Sequence, residues 1–132
     1  MITEGIRLLS AVARDGSAAA LSRVNPVWLT EPNEEALFGF ISTHFNRFGV
    51  VPNLQTLHQL GHEVTNATEP LEFYLSQVSA RHGYNILSDL YLALGEAIAS
   101  RNVDTGKNVV RDALALLSRE SANQDVIGIQ QL

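Results

Sequence analysis

The chain contains no cysteine. A disulfide scaffold, a Cys-ligated zinc site and a thiol nucleophile are therefore excluded, and the composition fits a reducing compartment such as the cytoplasm. Long hydrophobic runs are missing as well: no stretch approaches the roughly 18 apolar residues of a membrane span. The opening residues, MITEGIRLLS, show no basic region leading into an apolar run, so no signal peptide is expected. Positive charge is scarce. Nine Lys and Arg stand against fourteen Asp and Glu, a net charge of −5 over 132 residues. Such a surface is poorly suited to sequence-independent nucleic-acid binding, which needs cations to neutralise phosphates. Strict apolar–polar alternation is also lacking, so no strand is expected, and neither an internal repeat nor a low-complexity tract is present. What remains is an apolar content of 45%, enough for a buried core in about one domain.

Helical periodicity dominates. Thr3 is placed to cap a first helix through Ile6, Leu8, Leu9 and Val12, with Gly16 as its stop. Ser17 caps a second, short helix that runs to Val24 and yields at Asn25-Pro26, because a residue before proline is pushed out of the helical region. After a connector carrying Trp28, Thr30 to Glu35 signal the start of a third helix. Glu34 and Glu35 lie in its first turn, where the helix dipole favours acids, and Gly49 closes it. Asn53 caps a fourth helix expected to reach Val64, weakened by Gly61. Pro70 opens the longest periodic stretch, which Gly83 is expected to kink or break. A turn at 101–104 precedes a last helix capped by Asp104 or Thr105. Polar residues from Ser118 to Asp125 then lead to Val126, Ile127, Ile129 and Leu132, an apolar cluster with nothing after it. The expected architecture is all-α: a compact helical part over 1–69, a long antiparallel helical hairpin over 70–120 and a tail over 121–132.

The hairpin carries more apolar surface than it can bury. Ile86, Leu87, Leu90, Tyr91, Leu94 and Ile98 cover more than one narrow seam, and a single partner helix covers only one. The surplus must meet the compact part or another chain, and an exposed apolar patch of that kind points to another chain. The candidate interface residues are Ile86, Leu90, Tyr91, Leu94, Val110, Leu114 and Leu117.

Candidate chemistry is thin. His58 and His62 sit at i and i+4, a spacing that can hold zinc, but the metalloprotease motif needs Glu directly after the first His and Gln59 stands there. Gly106-Lys107 resembles the end of a phosphate loop, yet Arg101 occupies the position of the first glycine and Asn108 that of the Ser or Thr. No Gly-x-Ser-x-Gly elbow accompanies the serines. Tyr74, Tyr84 and Tyr91 fit core or contact roles better than base stacking on so acidic a chain. No catalytic, cofactor-binding or metal residue is assigned.

The order of motifs has a counterpart. Leu8-Leu9 in the first helix is followed by Pro-x-Trp-Leu (Pro26 to Leu29) and His-Phe-Asn-Arg-Phe-Gly (His44 to Gly49). Val-Pro-Asn (Val51 to Asn53), Glu-Pro-Leu-Glu-Phe-Tyr-Leu (Glu69 to Leu75) and a long hairpin come next. Over roughly residues 3–120 this resembles the N-terminal domain of DnaB-like replicative DNA helicases, above all those of bacteriophages. The resemblance implies an all-α globular subdomain with a protruding hairpin. Neighbouring hairpins would pair into a collar on a hexameric ring, and the collar would recruit a DnaG-type primase or a helicase loader. It implies no catalysis and no cofactor in this chain. ATP and Mg would belong to a RecA-like domain outside this sequence, toward which 121–132 resembles the start of a linker. The compartment implied is the bacterial or phage-infected cytoplasm. Beyond residue 70 the cations are Arg81, Arg101, Lys107, Arg111 and Arg119, so strong direct nucleic-acid binding is not expected, nor is a membrane partner. A stand-alone adaptor or loader that binds such a helicase is the alternative of the same shape.

Overall fold

The computed structural model describes the backbone of residues 1–131 and the side chains of residues 1–119. The architecture is all-helical, with no strand among the described residues. Helices α1 (Glu4–Asp15), α2 (Ala18–Ser22), α3 (Pro32–Phe48), α4 (Leu54–Gln59), α5 (Leu71–Ala99) and α6 (Val103–Gln131) follow in order, with a 3-10 turn at Pro26–Trp28 between α2 and α3. The chain divides into two compact units, Met1–Val78 and Ser79–Leu132.

Local chemistry sets the helix ends of the first unit. The Ile6 amide donates to Thr3 Oγ1 at 3.3 Å, and the Ala20 amide to Ser17 Oγ at 3.0 Å. The Thr56 amide donates to Asn53 Oδ1 at 2.8 Å. Each bond satisfies a donor that a helix start leaves open. Gly16 and Gly49 close α1 and α3 in the left-handed region, at φ 68° and 74°. Three expectations are corrected. Helix α2 ends at Ser22 and not at Val24, since Asn25 turns its side chain to the Val27 amide and opens the 3-10 turn. Helix α4 stops at Gln59, five residues short of Val64, because Gly61 takes φ 85° and turns the chain out of the helix. Gly83 does not break α5, which is continuous from Leu71 to Ala99. One interior glycine costs about 1 kcal/mol, too little to interrupt a helix anchored on both sides.

The core forms around α1. Leu8, Leu9 and Val12 are fully buried, with Leu37 and Ile41 of α3, Leu57 of α4 and Tyr74 and Val78 of α5 in the same cluster. The irregular stretch between α4 and α5 is tied to this core by polar groups that its own backbone satisfies. Arg14 Nη1 donates to the carbonyls of Ala67 at 2.8 Å and Glu69 at 2.5 Å. The Tyr74 hydroxyl accepts the amides of Thr68 and Glu69. The buried Ser10 hydroxyl accepts the Thr65 amide at 3.0 Å and donates to the Ile6 carbonyl. These bonds meet the requirement that backbone groups near a core find partners.

One carboxylate joins two helix starts. Glu34, in the first turn of α3, is fully buried. Its Oε2 accepts from Thr3 Oγ1 at 2.5 Å and from the Gly5 amide at 3.1 Å, and its Oε1 faces the Glu31 amide at 3.5 Å. The carboxyl group thus sits at the N-termini of α1 and α3 together, where both dipoles favour negative charge. Gly5 makes room for it: a Cβ there would lie 2.2 Å from Glu34 Cδ. Gly5→Ala is therefore expected to cost about 2–3 kcal/mol by overpacking. Gly39→Ala, on the open face of α3 with nothing within 4 Å, is expected to leave stability unchanged or slightly raised. Paired thermal melts of the two variants check this.

In the second unit, α5 ends in a Schellman turn. The Asn102 amide donates to the Ala97 carbonyl at 2.9 Å and the Arg101 amide to the Ile98 carbonyl at 3.1 Å. Asn102, and not Asp104 or Thr105, caps α6, accepting the Thr105 amide at 3.1 Å. Gly106 lies against Ala97, with its Cβ position 3.6 Å from the alanine methyl. Ile86, Ala97 and Ala113 are the buried apolar residues of this unit among those described. The side chains expected to begin a linker at 121–132, including Val126, Ile127, Ile129 and Leu132, lie outside the described residues.

Candidate functional site

The second unit presents an apolar face. Along α5, Tyr84, Leu87, Tyr91, Leu94 and Ile98 recur at alternating steps of three and four residues. That is the 3.5-residue period of a helix seam that faces another helix. All but the half-buried Leu94 are exposed, Tyr91 by 78%. A second series, Ile86, Leu90, Ala93 and Ala97, has the same period on another face of α5, and Ile86 and Ala97 are buried. Helix α5 therefore carries two seams, of which one is covered.

Helix α6 repeats the pattern. Val103, Lys107, Val110, Leu114 and Leu117 follow steps of four and three, with Val103, Val110 and Leu114 exposed. The two helices meet at the turn end, where Leu94 and Ile98 share an open groove of about 600 Å³ with Val103 and Val110.

Of the seven residues expected from the sequence to form the interface, Tyr91, Val110 and Leu114 are exposed. Leu90, Leu94 and Leu117 are half-buried. Ile86 is only 8% exposed and belongs to the covered seam, so it is corrected from a surface position to a packing position. Leu87 and Ile98, which the sequence counts in the apolar surplus but not among these seven, are exposed as well, as are Tyr84 and Val103. The three–four spacing from Tyr84 to Ile98 is the sequence signal that marks them.

The other candidates do not converge. His58 is exposed on α4, whereas His62 lies beyond its end with its ring 4.6 Å from that of Phe40. The i, i+4 pairing on one helical face is thus not formed, and no group of three His, Asp or Glu able to hold a metal occurs among the described residues. His44 Nδ1 lies 3.0 Å from the Val50 carbonyl and its ring stacks near Phe48, a packing role at the end of α3. Lys107 lies in the first turns of α6, not in a phosphate loop after a strand.

A smaller cleft in the first unit is lined by Arg14, Arg23 and Glu72 among others. Its arginines are engaged, Arg14 with the loop carbonyls and Arg23 Nη1 with Glu72 Oε1 at 2.7 Å. The Arg23 hydrogen bond, followed by one from the Glu72 backbone, holds the Glu72 carboxyl below its ordinary value of 4.5. A folded-state value depressed in this way gives stability at neutral pH that is lost as pH falls through it. The pair is exposed, so the effect is small. Glu72→Gln is expected to leave the melting midpoint at pH 7 almost unchanged and to flatten the decline below about pH 4.5. Melts across pH 3–7 check it.

No protein-family model matches the chain, and no curated protein or solved structure matches it. Among the described residues no helix is long and apolar enough to cross a membrane.

Proposed function

We propose that the chain is an oligomerisation and docking domain of the kind found as the N-terminal collar of DnaB-like replicative helicases. Its all-helical class fits such a domain. The observation that supports this reading is the uncovered second seam, Tyr84, Leu87, Tyr91, Leu94 and Ile98, on a helix whose other seam is already covered. A 3.5-residue seam is buried by another helix, and a second copy of the same hairpin supplies one with the same period. The chain would have no catalysis and no cofactor of its own. Its partners would be other copies of itself and a DnaG-type primase or helicase loader acting in DNA replication. ATP and Mg would serve a RecA-like domain of the parent protein.

Sedimentation velocity over a hundredfold range of concentration tests the first half. The expected result is a mass that rises to a dimer or higher oligomer, and a monomer throughout overturns it. The second half is tested by reading the gene past the Leu132 codon. A continuing frame with Gly-x-x-x-x-Gly-Lys-Ser/Thr, the phosphate cradle of an ATPase, supports the helicase reading. A stop there moves the assignment to the stand-alone adaptor.

A further inference from the structure

We infer that Lys107 fixes the register in which a second copy of this chain packs on the second unit. The inference rests on the self-association reading and names the residue that selects among the arrangements open to it. The apolar stripes are Tyr84, Leu87, Tyr91, Leu94 and Ile98 on α5 and Val103, Lys107, Val110, Leu114 and Leu117 on α6. Lys107 is the one charged residue in either stripe. It stands four residues after Val103 and three before Val110, on the same side of the helix. With both it lines the groove to which α5 contributes Leu94 and Ile98.

A wholly apolar stripe packs on an equivalent stripe in several registers, because sliding exchanges one apolar contact for another at little cost. The lysine makes those registers unequal. Its methylene stem can lie along the apolar floor, but its ammonium keeps its water or needs an oxygen in exchange. A register that closes apolar side chains over the ammonium removes both and is penalised. A register that leaves the ammonium at the rim is not. A single lysine at such a seam position specifies register and oligomer state at a cost in strength.

The turn end also suits a second copy in charge. Between residues 90 and 110 the charged residues are Glu96, Arg101, Asp104 and Lys107, which sum to zero on a chain of net charge −5. Two copies that meet there bring no net charge together, whereas the rest of each copy carries the negative excess.

The absence of cysteine gives a direct readout. Ala115→Cys, at an exposed position of α6 off the stripe, places one spin label on each copy. Pulsed electron resonance then measures the distance between labels in the oligomer. The expected result is one distance with Lys107 in place and two or more with Lys107→Leu. Lys107→Leu should also lower the dissociation constant about tenfold or more, since it completes the apolar stripe. Asn108→Leu, an apolar gain at an exposed position beside the stripe, should change neither. Several distances with Lys107 in place, a single unchanged distance in Lys107→Leu, or the same broadening in Asn108→Leu would overturn the inference. So would an association that Lys107→Leu leaves unchanged or weakens. In each of those cases the oligomer remains, and the self-association reading stands without this refinement. Sedimentation of the same labelled samples separates the two failures. A Lys107 protein that is monomeric at every concentration fails the self-association reading, and this inference with it.

Discussion

Glu34→Ala is expected to destabilise the first unit by about 3–4 kcal/mol, the largest effect of any single substitution considered for its fold. The carboxylate accepts from Thr3 Oγ1 and from the Gly5 amide, and faces the Glu31 amide. Alanine leaves these donors, the buried Gly5 amide among them, without their acceptor. It also removes the anion that the first turns of α1 and α3 both favour. For a chain of this length the midpoint should fall by roughly 10 °C. Glu34→Gln keeps the shape and one acceptor oxygen but loses the charge and presents an NH₂ group among donors, so about half the loss is expected. Chemical denaturation of the three proteins checks the ranking. If alanine costs less than about 0.5 kcal/mol, the size of an ordinary surface change, the carboxylate is not the link between the helices. The Gly5→Ala variant probes the same link from the opposite side, since it expels the carboxylate without removing it.

If the chain self-associates as proposed, Tyr91→Asp combined with Leu114→Asp is expected to abolish that association while leaving the melting midpoint of the first unit in place. Both side chains are exposed, by 78% and 63%, so neither contributes to a core within the chain. Burying each against a second copy is worth on the order of 2 kcal/mol. A contact related by two-fold symmetry contains each residue twice. Even with half of that area recovered, the dissociation constant should rise at least about a thousandfold. Light scattering behind size exclusion reads the mass, and a melt of the same samples reads the fold. Ile86→Asp is the contrasting variant. Ile86 is buried, so that change should unfold the second unit and not merely separate subunits. An unchanged mass in the Tyr91, Leu114 double variant would refute the self-association reading.

The sequence by itself determined what depends on neighbours a few residues apart. Thr3, Ser17 and Asn53 as caps and Gly16 and Gly49 as stops are local hydrogen-bond and φ preferences, and each acts in the structure as its residue type dictates. The all-helical class follows from the same periodicity. Tertiary structure decided the rest. Gly83 is a weak helix residue by propensity, but the 29-residue helix runs through it. Asn102 won the cap of α6 over Asp104 and Thr105 because the Schellman turn of α5 had already placed it there. Glu34 reads in the sequence as one acid in one first turn. Only the approach of α1 makes it a buried bridge between two helix starts, with Gly5 as the space it needs. The candidate interface divides in the same way. Its apolar residues are legible as a surplus, but two seams about a third of a turn apart on one helix look alike in the sequence. Packing covers Ile86 and Ala97 and leaves Tyr91 and Ile98 open, and that choice depends on which face its neighbour takes.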